Sequence, residues 1–388
     1  MRNSSSFPVA ALAEAGLLRR RVVTDSCCGP EIMLDGRLVL SVASNDTLGL
    51  ASHPDVIEAA AEGARRWGVG AGASHFLGGH FRPHQALEER LAAFVGGERA
   101  LLFSTGYLAN LGVVPALAGR DDAVFADRLN HASLIDAVRL SNARSHRYPH
   151  LDLTSLERQL STCTAKNRLI VTDAVFSMDG DIAPLPELSA LADRFDAWLI
   201  VDDAHGFGIL GPQGRGTLAR FGLRPAERRL LMGTLGKAAG VAGAFVAGDE
   251  DAIEWLVQKA RTAIYTTAAP PMLSCALLKS LELIEGGDAR RAHLQALIAR
   301  LRAGLAPACA RAGWRLLPSD TAIQPLVIGG NQETLDVAGA LLERGLWAPA
   351  IRPPSVPAGQ ARLRISLSAA HSEAQVDRLV DALSEIAA

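Results

Sequence analysis

From about residue 53 onward, short apolar runs alternate with stretches whose apolar positions recur at helical spacing. Val56–Trp67 and Gln85–Val95 have the helical period. Ala100–Phe103, Ala123–Ala126, Arg168–Thr172, Trp198–Val201, Leu230–Met232 and Ala244–Ala247 are apolar runs closed by turn residues, as buried strands are. Such alternation predicts an α/β fold with a mostly parallel central sheet covered on both faces. Ala252–Ala263 and Pro271–Glu285 predict two more helices. Upstream, Val9–Leu18 reads as an amphipathic helix, and Glu31–Leu40 as a hairpin turning at Asp35-Gly36. The composition changes near Glu285-Gly286-Gly287-Asp288. Beyond it, a helix at 289–311, strands near 315–317 and 323–327, a helix at 333–343, a strand at 362–366 and a helix at 373–387 predict a smaller α+β domain. Three segments result: an N-terminal helix and hairpin at 1–48, a large domain at 49–286 and a small C-terminal domain at 287–388.

Composition narrows the class. With 388 residues, 49% hydrophobic and 21% charged, the chain can bury a core that needs no staples. The formal net charge of -2 comes without any basic block, which argues against nucleic acid or an anionic membrane as partner. A small anionic ligand would need local positive charge. Arg2 and the serines ahead of Val9–Leu18 superficially suggest a signal peptide, but Glu14 interrupts the apolar run and Arg19-Arg20-Arg21 stands where cleavage would occur. No stretch is long and apolar enough to span a bilayer. Cys27, Cys28, Cys163, Cys275 and Cys309 form no C-x-x-C pair and no metal pattern, so reduced thiols, a cytoplasmic location and no metal site are expected.

Several strand ends carry chemistry. Lys237 is the one charge in Gly233-Thr234-Leu235-Gly236-Lys237-Ala238-Ala239-Gly240, and Trp198–Val201 ends in Asp202-Asp203-Ala204-His205. An amine among small residues, with a carboxylate at a strand end, suits pyridoxal phosphate: the amine condenses with the aldehyde and the acid keeps the ring nitrogen protonated. Leu101–Phe103 passes through Ser104-Thr105 into Gly106-Tyr107, where a helix N-terminus would offer amides to a phosphate. His131 follows the strand Ala123–Ala126, at the sheet edge where α/β folds bind ligands; it could stack on a ring, relay a proton or simply start a helix. Ser177 follows Arg168–Thr172 in the same way. Arg362 and Arg364 share one face of a strand, and one of them could clamp a carboxylate.

Taken together, Ser44-Asn45-Asp46, Phe103-Ser104-Thr105-Gly106-Tyr107, Phe176-Ser177-Met178-Asp179-Gly180, Val201-Asp202-Asp203-Ala204-His205-Gly206 and Thr234-Leu235-Gly236-Lys237 resemble the α-oxoamine synthases. These are pyridoxal phosphate enzymes of aminotransferase-like fold type I that condense an amino acid with an acyl thioester. The resemblance runs from about residue 10 to the end. It implies that Lys237 is the Schiff-base lysine and the base for the amino acid, that Asp202 pairs with the pyridinium nitrogen and that His131 stacks on the ring. His205 and Ser177 would lie near the phenolic oxygen, with Gly106, Tyr107 and Thr234 on the phosphate. It further implies Arg364 and Asn45 on the substrate carboxylate side, and Arg19 and Ser355 on the acyl substrate. Tyr265-Thr266-Thr267 matches a segment that reaches a partner subunit's site, which implies a homodimer.

Ile351-Arg352-Pro353-Pro354-Ser355-Val356-Pro357-Ala358-Gly359 is most similar to the biotin-pathway branch. That branch implies L-alanine and pimeloyl-CoA, or a pimeloyl acyl carrier protein, as substrates. Sister enzymes with the same cofactor motifs use glycine or serine and other acyl chains. Three positions depart from the family pattern: Thr47 where an aromatic is usual, Gly78 where a serine is common, and Ser355 in place of threonine. A cofactor-binding sensor module is the rival of a different kind, but it would require a DNA-binding domain, and the roughly 45 residues ahead of the large domain show no helix-turn-helix pattern.

Overall fold

The computed structural model describes residues 9–14, 16–19 and 21–388. Arg2, the serines that follow it and Arg20 lie outside the described residues. The chain divides into two compact units. Unit 1 comprises residues up to Thr47, Met178–Gly180 and Ala292–Ala388; unit 2 comprises Leu48–Ser177 and Asp181–Arg291.

In unit 1 the N-terminal segment holds helix α1 (Val9–Glu14) and strands β1 (Glu31–Leu34) and β2 (Arg37–Ser41). β1 and β2 pair antiparallel through Asp35 and Gly36, both at positive φ, as a tight two-residue hairpin requires.

Unit 2 carries helices α2 (Pro54–Trp67) and α3 (Arg82–Val95), then strands β3 (Arg99–Phe103), β4 (Ala123–Asp127), β5 (Arg144–Tyr148), β6 (Arg168–Asp173), β7 (Trp198–Asp202), β8 (Arg229–Thr234) and β9 (Ala244–Gly248). Helices α4 (Gly106–Leu117), α5 (Ala132–Ser141), α6 (Leu153–Thr162), α7 (Leu185–Arg194) and α8 (Thr217–Arg220) lie between the strands. Helices α9 (Glu250–Lys259), α10 (Arg261–Ile264) and α11 (Pro271–Glu285) follow β9. The sheet order is β3-β9-β8-β7-β6-β4-β5, and only β9 runs against the rest. This is the mostly parallel sheet the alternation predicts. Its inner strands read as unbroken apolar runs because both faces are covered: Leu169, Ile170, Val171, Leu230 and Leu231 are fully buried.

Two differences from the sequence reading have physical causes. Strand β5, Arg-Ser-His-Arg-Tyr, was not expected, because it is the sheet's edge and only Tyr148 is buried, so no apolar run marks it. The helix expected over Ala252–Ala263 is two helices, broken where Ala260 turns to an extended conformation with ψ 95°.

Unit 2 ends in the first turn of α12 (Asp288–Ala312). The rest of unit 1 holds β10 (Arg315–Leu316), β11 (Ile323–Gly329), α13 (Asn331–Glu343), β12 (Leu346–Trp347), β13 (Ala350–Ile351), β14 (Ala361–Ser366) and α14 (Glu373–Ile386). β10-β11-β14-β13 form an antiparallel sheet. β12 pairs in parallel with β2, so the N-terminal segment, expected as a piece of its own, shares unit 1 with the C-terminal residues.

Candidate active site

In unit 2 the strands β4, β6, β7 and β8 run the same way, so their carboxyl ends share one sheet edge. Asp127, Asp173, Asp202 and Thr234 are the last residues of those four strands. Asp173 and Asp202 are direct register partners. Burial, then the neighbouring Asp202 charge, raises the Asp173 carboxyl well above the carboxylate range. Asp173 Oδ2 accepts the His131 amide at 2.6 Å, which fixes the start of α5.

Asp202 is buried, and both its oxygens have donors: the Ala204 amide to Oδ1 at 3.0 Å and the Asn110 side-chain amide to Oδ2 at 2.7 Å. Asp203, the first residue after β7, has different partners. It accepts the Thr217 amide at 2.7 Å and the Thr217 hydroxyl, and burial pushes it up to about 7 against those bonds. Gly206 passes so close that an added Cβ would lie 2.1 Å from Asp203 Oδ1. Asp203 therefore ties down the loop after β7, while Asp202 is the acid of the sheet edge.

Lys237 lies in the turn between β8 and β9, and its Nζ is 2.9 Å from His205 Nε2. His131 caps α5, with Nδ1 2.7 Å from Ser133 Oγ and its ring edge-on to Tyr107 at 6.4 Å. Burial and the Lys237 charge lower the His131 pKa, with Asp202 acting in the opposite sense. Thr105 caps α4 by accepting the Leu108 amide at 3.1 Å, and its carbonyl accepts from Ala109. That leaves the Gly106 and Tyr107 amides at the helix start, where no intrahelical partner exists. A Cβ on Gly106 would lie 3.7 Å from the Thr234 Cβ, so the helix start and Thr234 are neighbours. Thr234 Oγ1 donates to the Gly243 carbonyl at 3.3 Å, and Ser177 is half-buried just after β6.

This donor set fits pyridoxal phosphate. It offers amides at a helix start and a hydroxyl for the phosphate, a buried carboxylate for the ring nitrogen, an imidazole for the ring and an amine for the aldehyde. Sequence reasoning missed Asn110, Ser133 and Asp173. Asn110 was nevertheless legible in part, since it lies four residues after Gly106 and so on the same face of α4.

In unit 1, Arg364 and Arg362 divide the expected pair of roles. Arg362 Nη1 donates to Asp179 Oδ1 at 2.8 Å and to the Met178 carbonyl at 3.0 Å. Arg364 donates from both terminal nitrogens to Asn45 Oδ1 at 3.2 Å and from Nη1 to Ser366 Oγ at 3.0 Å; burial lowers it to about 10. Arg19 and Ser355 are exposed, and Ser355 closes a turn by donating its amide to the Arg352 carbonyl at 3.1 Å. Thr47 is buried, its carbonyl accepting from Ala369 at 2.8 Å.

Back in unit 2, Gly78 has φ +99°, so its departure from serine matches a backbone that side chains disfavour. Beside it, His75, His80 and His84 bring one nitrogen each within 4.8 Å of one another. His84 commits both of its nitrogens, to the Phe81 amide at 3.0 Å and to the Ala269 carbonyl at 2.8 Å, while His75 and His80 bond through Nδ1 at 2.8 Å. Burial, then the neighbouring His84 and His80, hold His75 down to about 4.

Comparison with known proteins places this geometry. Residues 38–383 match the aminotransferase class I and II family. An 8-amino-7-oxononanoate synthase from Herminiimonas arsenicoxydans is 65% identical over 99% of both chains. A solved serine palmitoyltransferase from S. paucimobilis with pyridoxal phosphate and myriocin bound is 30% identical, with a TM-score of 0.91 over 97% of this chain and 95% of its own. An 8-amino-7-oxononanoate synthase structure from Francisella tularensis is also 30% identical, with a TM-score of 0.76 over 90% and 97%. The chain belongs to the aminotransferase class I and II family and, within it, to the pyridoxal phosphate-dependent α-oxoamine synthases.

Proposed function

We propose that this chain condenses L-alanine with a pimeloyl thioester, carried on CoA or acyl carrier protein, to give 8-amino-7-oxononanoate, carbon dioxide and free thiol in biotin synthesis. The 65% identity to an 8-amino-7-oxononanoate synthase over the full length carries this reading. The backbone likeness to serine palmitoyltransferase is higher than to the Francisella synthase, but backbone is shared among branches that differ in substrate.

Pyridoxal phosphate, when bound, supplies a ring that withdraws electrons from the amino acid's α-carbon. The chain's own residues then have definable tasks. Asp202, held by two donors, keeps a proton on the ring nitrogen. Gly106, Tyr107 and Thr234 would hold the phosphate, Ser177 and His205 would steady the phenolic oxygen, and His131 would face the ring. Lys237 would hold the aldehyde and would accept the alanine Cα proton at Nζ; His205 Nε2, 2.9 Å from that amine, would orient it. Arg364, with Asn45, is assigned the alanine carboxylate, and Arg19 and Ser355 the acyl substrate. Exposed Val69, Phe76, Leu77 and Tyr265 support a homodimer. Among the described residues no helix is long and apolar enough to cross a membrane. The scattered, odd number of cysteines supports a cytoplasmic location.

The decisive experiment incubates the purified chain with pimeloyl-CoA and, separately, alanine, glycine or serine, and identifies the product by mass. Alanine alone should give 8-amino-7-oxononanoate. Product only with glycine or serine would move the chain to a sister branch such as 5-aminolevulinate synthase, 2-amino-3-ketobutyrate ligase or serine palmitoyltransferase.

A further inference from the structure

We infer that Asn110 is a positioning residue of this site: its amide joins the Asp202 carboxylate to Ser133 and, through Ser133, sets which nitrogen of His131 carries the proton. The inference rests on the reading of Asp202 and His131 as cofactor contacts. Asn110 is fully buried on α4, and its Nδ2 donates to Asp202 Oδ2 at 2.7 Å and to Ser133 Oγ at 2.8 Å. The direction of each bond follows from the Asn110 amide at one end and the Ser133 backbone amide at the other. An amide nitrogen only donates, so Asp202 Oδ2 and Ser133 Oγ are both acceptors towards Asn110. The serine oxygen could still accept a second proton, so its bond to His131 Nδ1 at 2.7 Å takes its direction from the nitrogen: Nδ1 is an acceptor, and the hydroxyl donates to it. The Ser133 backbone amide donates to the same nitrogen at 3.3 Å. A ring nitrogen that receives two donors carries no proton, so His131 is neutral with its proton on Nε2.

The orientation of the Asn110 amide is equally constrained. Turned over, its oxygen would meet the Asp202 carboxylate, acceptor against acceptor. As it stands, Asn110 Oδ1 is buried with no hydrogen-bond partner among the described residues. A buried carbonyl oxygen without a donor is unfavourable, and a leucine or alanine would avoid it. The site keeps an asparagine because two amide protons are needed on the opposite side. The result is a carboxylate whose second oxygen is fixed and an imidazole whose tautomer is set by a group two bonds away.

The test loads the full-length chain with pyridoxal phosphate by equilibrium dialysis and reads bound cofactor by its visible absorbance. Losing one bond to a charged carboxylate should weaken cofactor binding by Asn110→Ala about tenfold and shift the band. Circular dichroism should match the wild type. Binding within twofold and an unchanged band would overturn the role at Asp202. If the wild type itself takes up no cofactor, the reading of the site fails and the inference falls with it. Ser133→Ala cuts the chain on the His131 side only and leaves the Asn110–Asp202 bond in place. It should retain cofactor affinity and alter the His131 ring in nitrogen NMR of histidine-labelled protein, the signal being identified by its loss in His131→Gln. Wild-type shifts typical of an Nε2–H tautomer that persist unchanged in Ser133→Ala would overturn the second half.

Discussion

The end of strand β7 in unit 2 and strand β14 in unit 1 each present two like-charged residues, and each place divides its pair between two tasks by different geometry. Asp202 closes β7 and Asp203 opens the loop after it, and the two carboxylates part, one to Asn110 at the sheet edge and the other to Thr217. Arg362 and Arg364 are two apart and share a face, and there the partner decides. Arg362 is engaged by Asp179 and the Met178 carbonyl, whereas Arg364 counts Asn45 and Ser366 among its partners. A guanidinium already bonded to a carboxylate has that edge occupied, so Arg362 serves the fold. The comparison teaches that residue type marks a candidate, and that its hydrogen-bond partners decide whether it serves the fold or the ligand.

The sharpest way to break this comparison is in β7, where the expected separation is largest. Asp202→Asn should cut turnover by about 10²–10³-fold, as loss of a preorganised charge does, while the unfolding midpoint stays near wild type. Asp203→Ala should do the opposite: it strands the buried Thr217 amide, at about 1–3 kcal/mol, and kcat of the folded fraction should hold. Steady-state kinetics and denaturant unfolding on both variants decide the matter. If Asp203→Ala abolishes turnover without loss of stability, the assignment of the two acids is reversed.

In β14 the same logic predicts a smaller split. Arg364→Lys removes the fork and should raise the KM for alanine about tenfold with a modest change in kcat. Arg362→Ala should leave that KM alone and lower stability by about 2 kcal/mol, as loss of a hydrogen bond to a charged, partly buried carboxylate does. Equal KM effects from the two arginines would remove the distinction drawn here.

These divisions were only half legible in the sequence. The apolar runs located the inner strands because burial on both faces leaves an unbroken signature, and the strand ends then located Asp202, His131, Thr234 and Lys237. Edge strand β5 left no such mark, since water covers most of Arg144–Tyr148. β12 and β13 are two residues each, too short for any period to show. Asn110 and Ser133 were missed for another reason. Their roles are bonds made across 92 and 23 residues, and long-range pairing has no local pattern. Asp203 beside Asp202 could be told apart only by its partners.

His150 tests the same principle where no ligand is involved, and with the smallest effect. It lies in unit 2 between Asp127 Oδ1 at 3.0 Å and Asp181 Oδ2 at 2.7 Å. Burial alone would lower its pKa, but the two carboxylates outweigh that and raise it to about 10. A histidine with a folded-state pKa above its unfolded value of 6.5 stabilises fully below that value. The contribution then falls away as pH climbs through about 10. His150→Gln keeps hydrogen bonding but removes the charge, so it should cost about 1 kcal/mol at pH 6, the excess of a charged over a neutral hydrogen bond. The difference from wild type should shrink steadily between pH 7 and 10 in thermal unfolding followed by fluorescence. A constant difference across that range would mean that the imidazole holds Asp127 and Asp181 by shape and hydrogen bonds rather than by charge. The lesson of the paired strands would then extend to neutral partners as well.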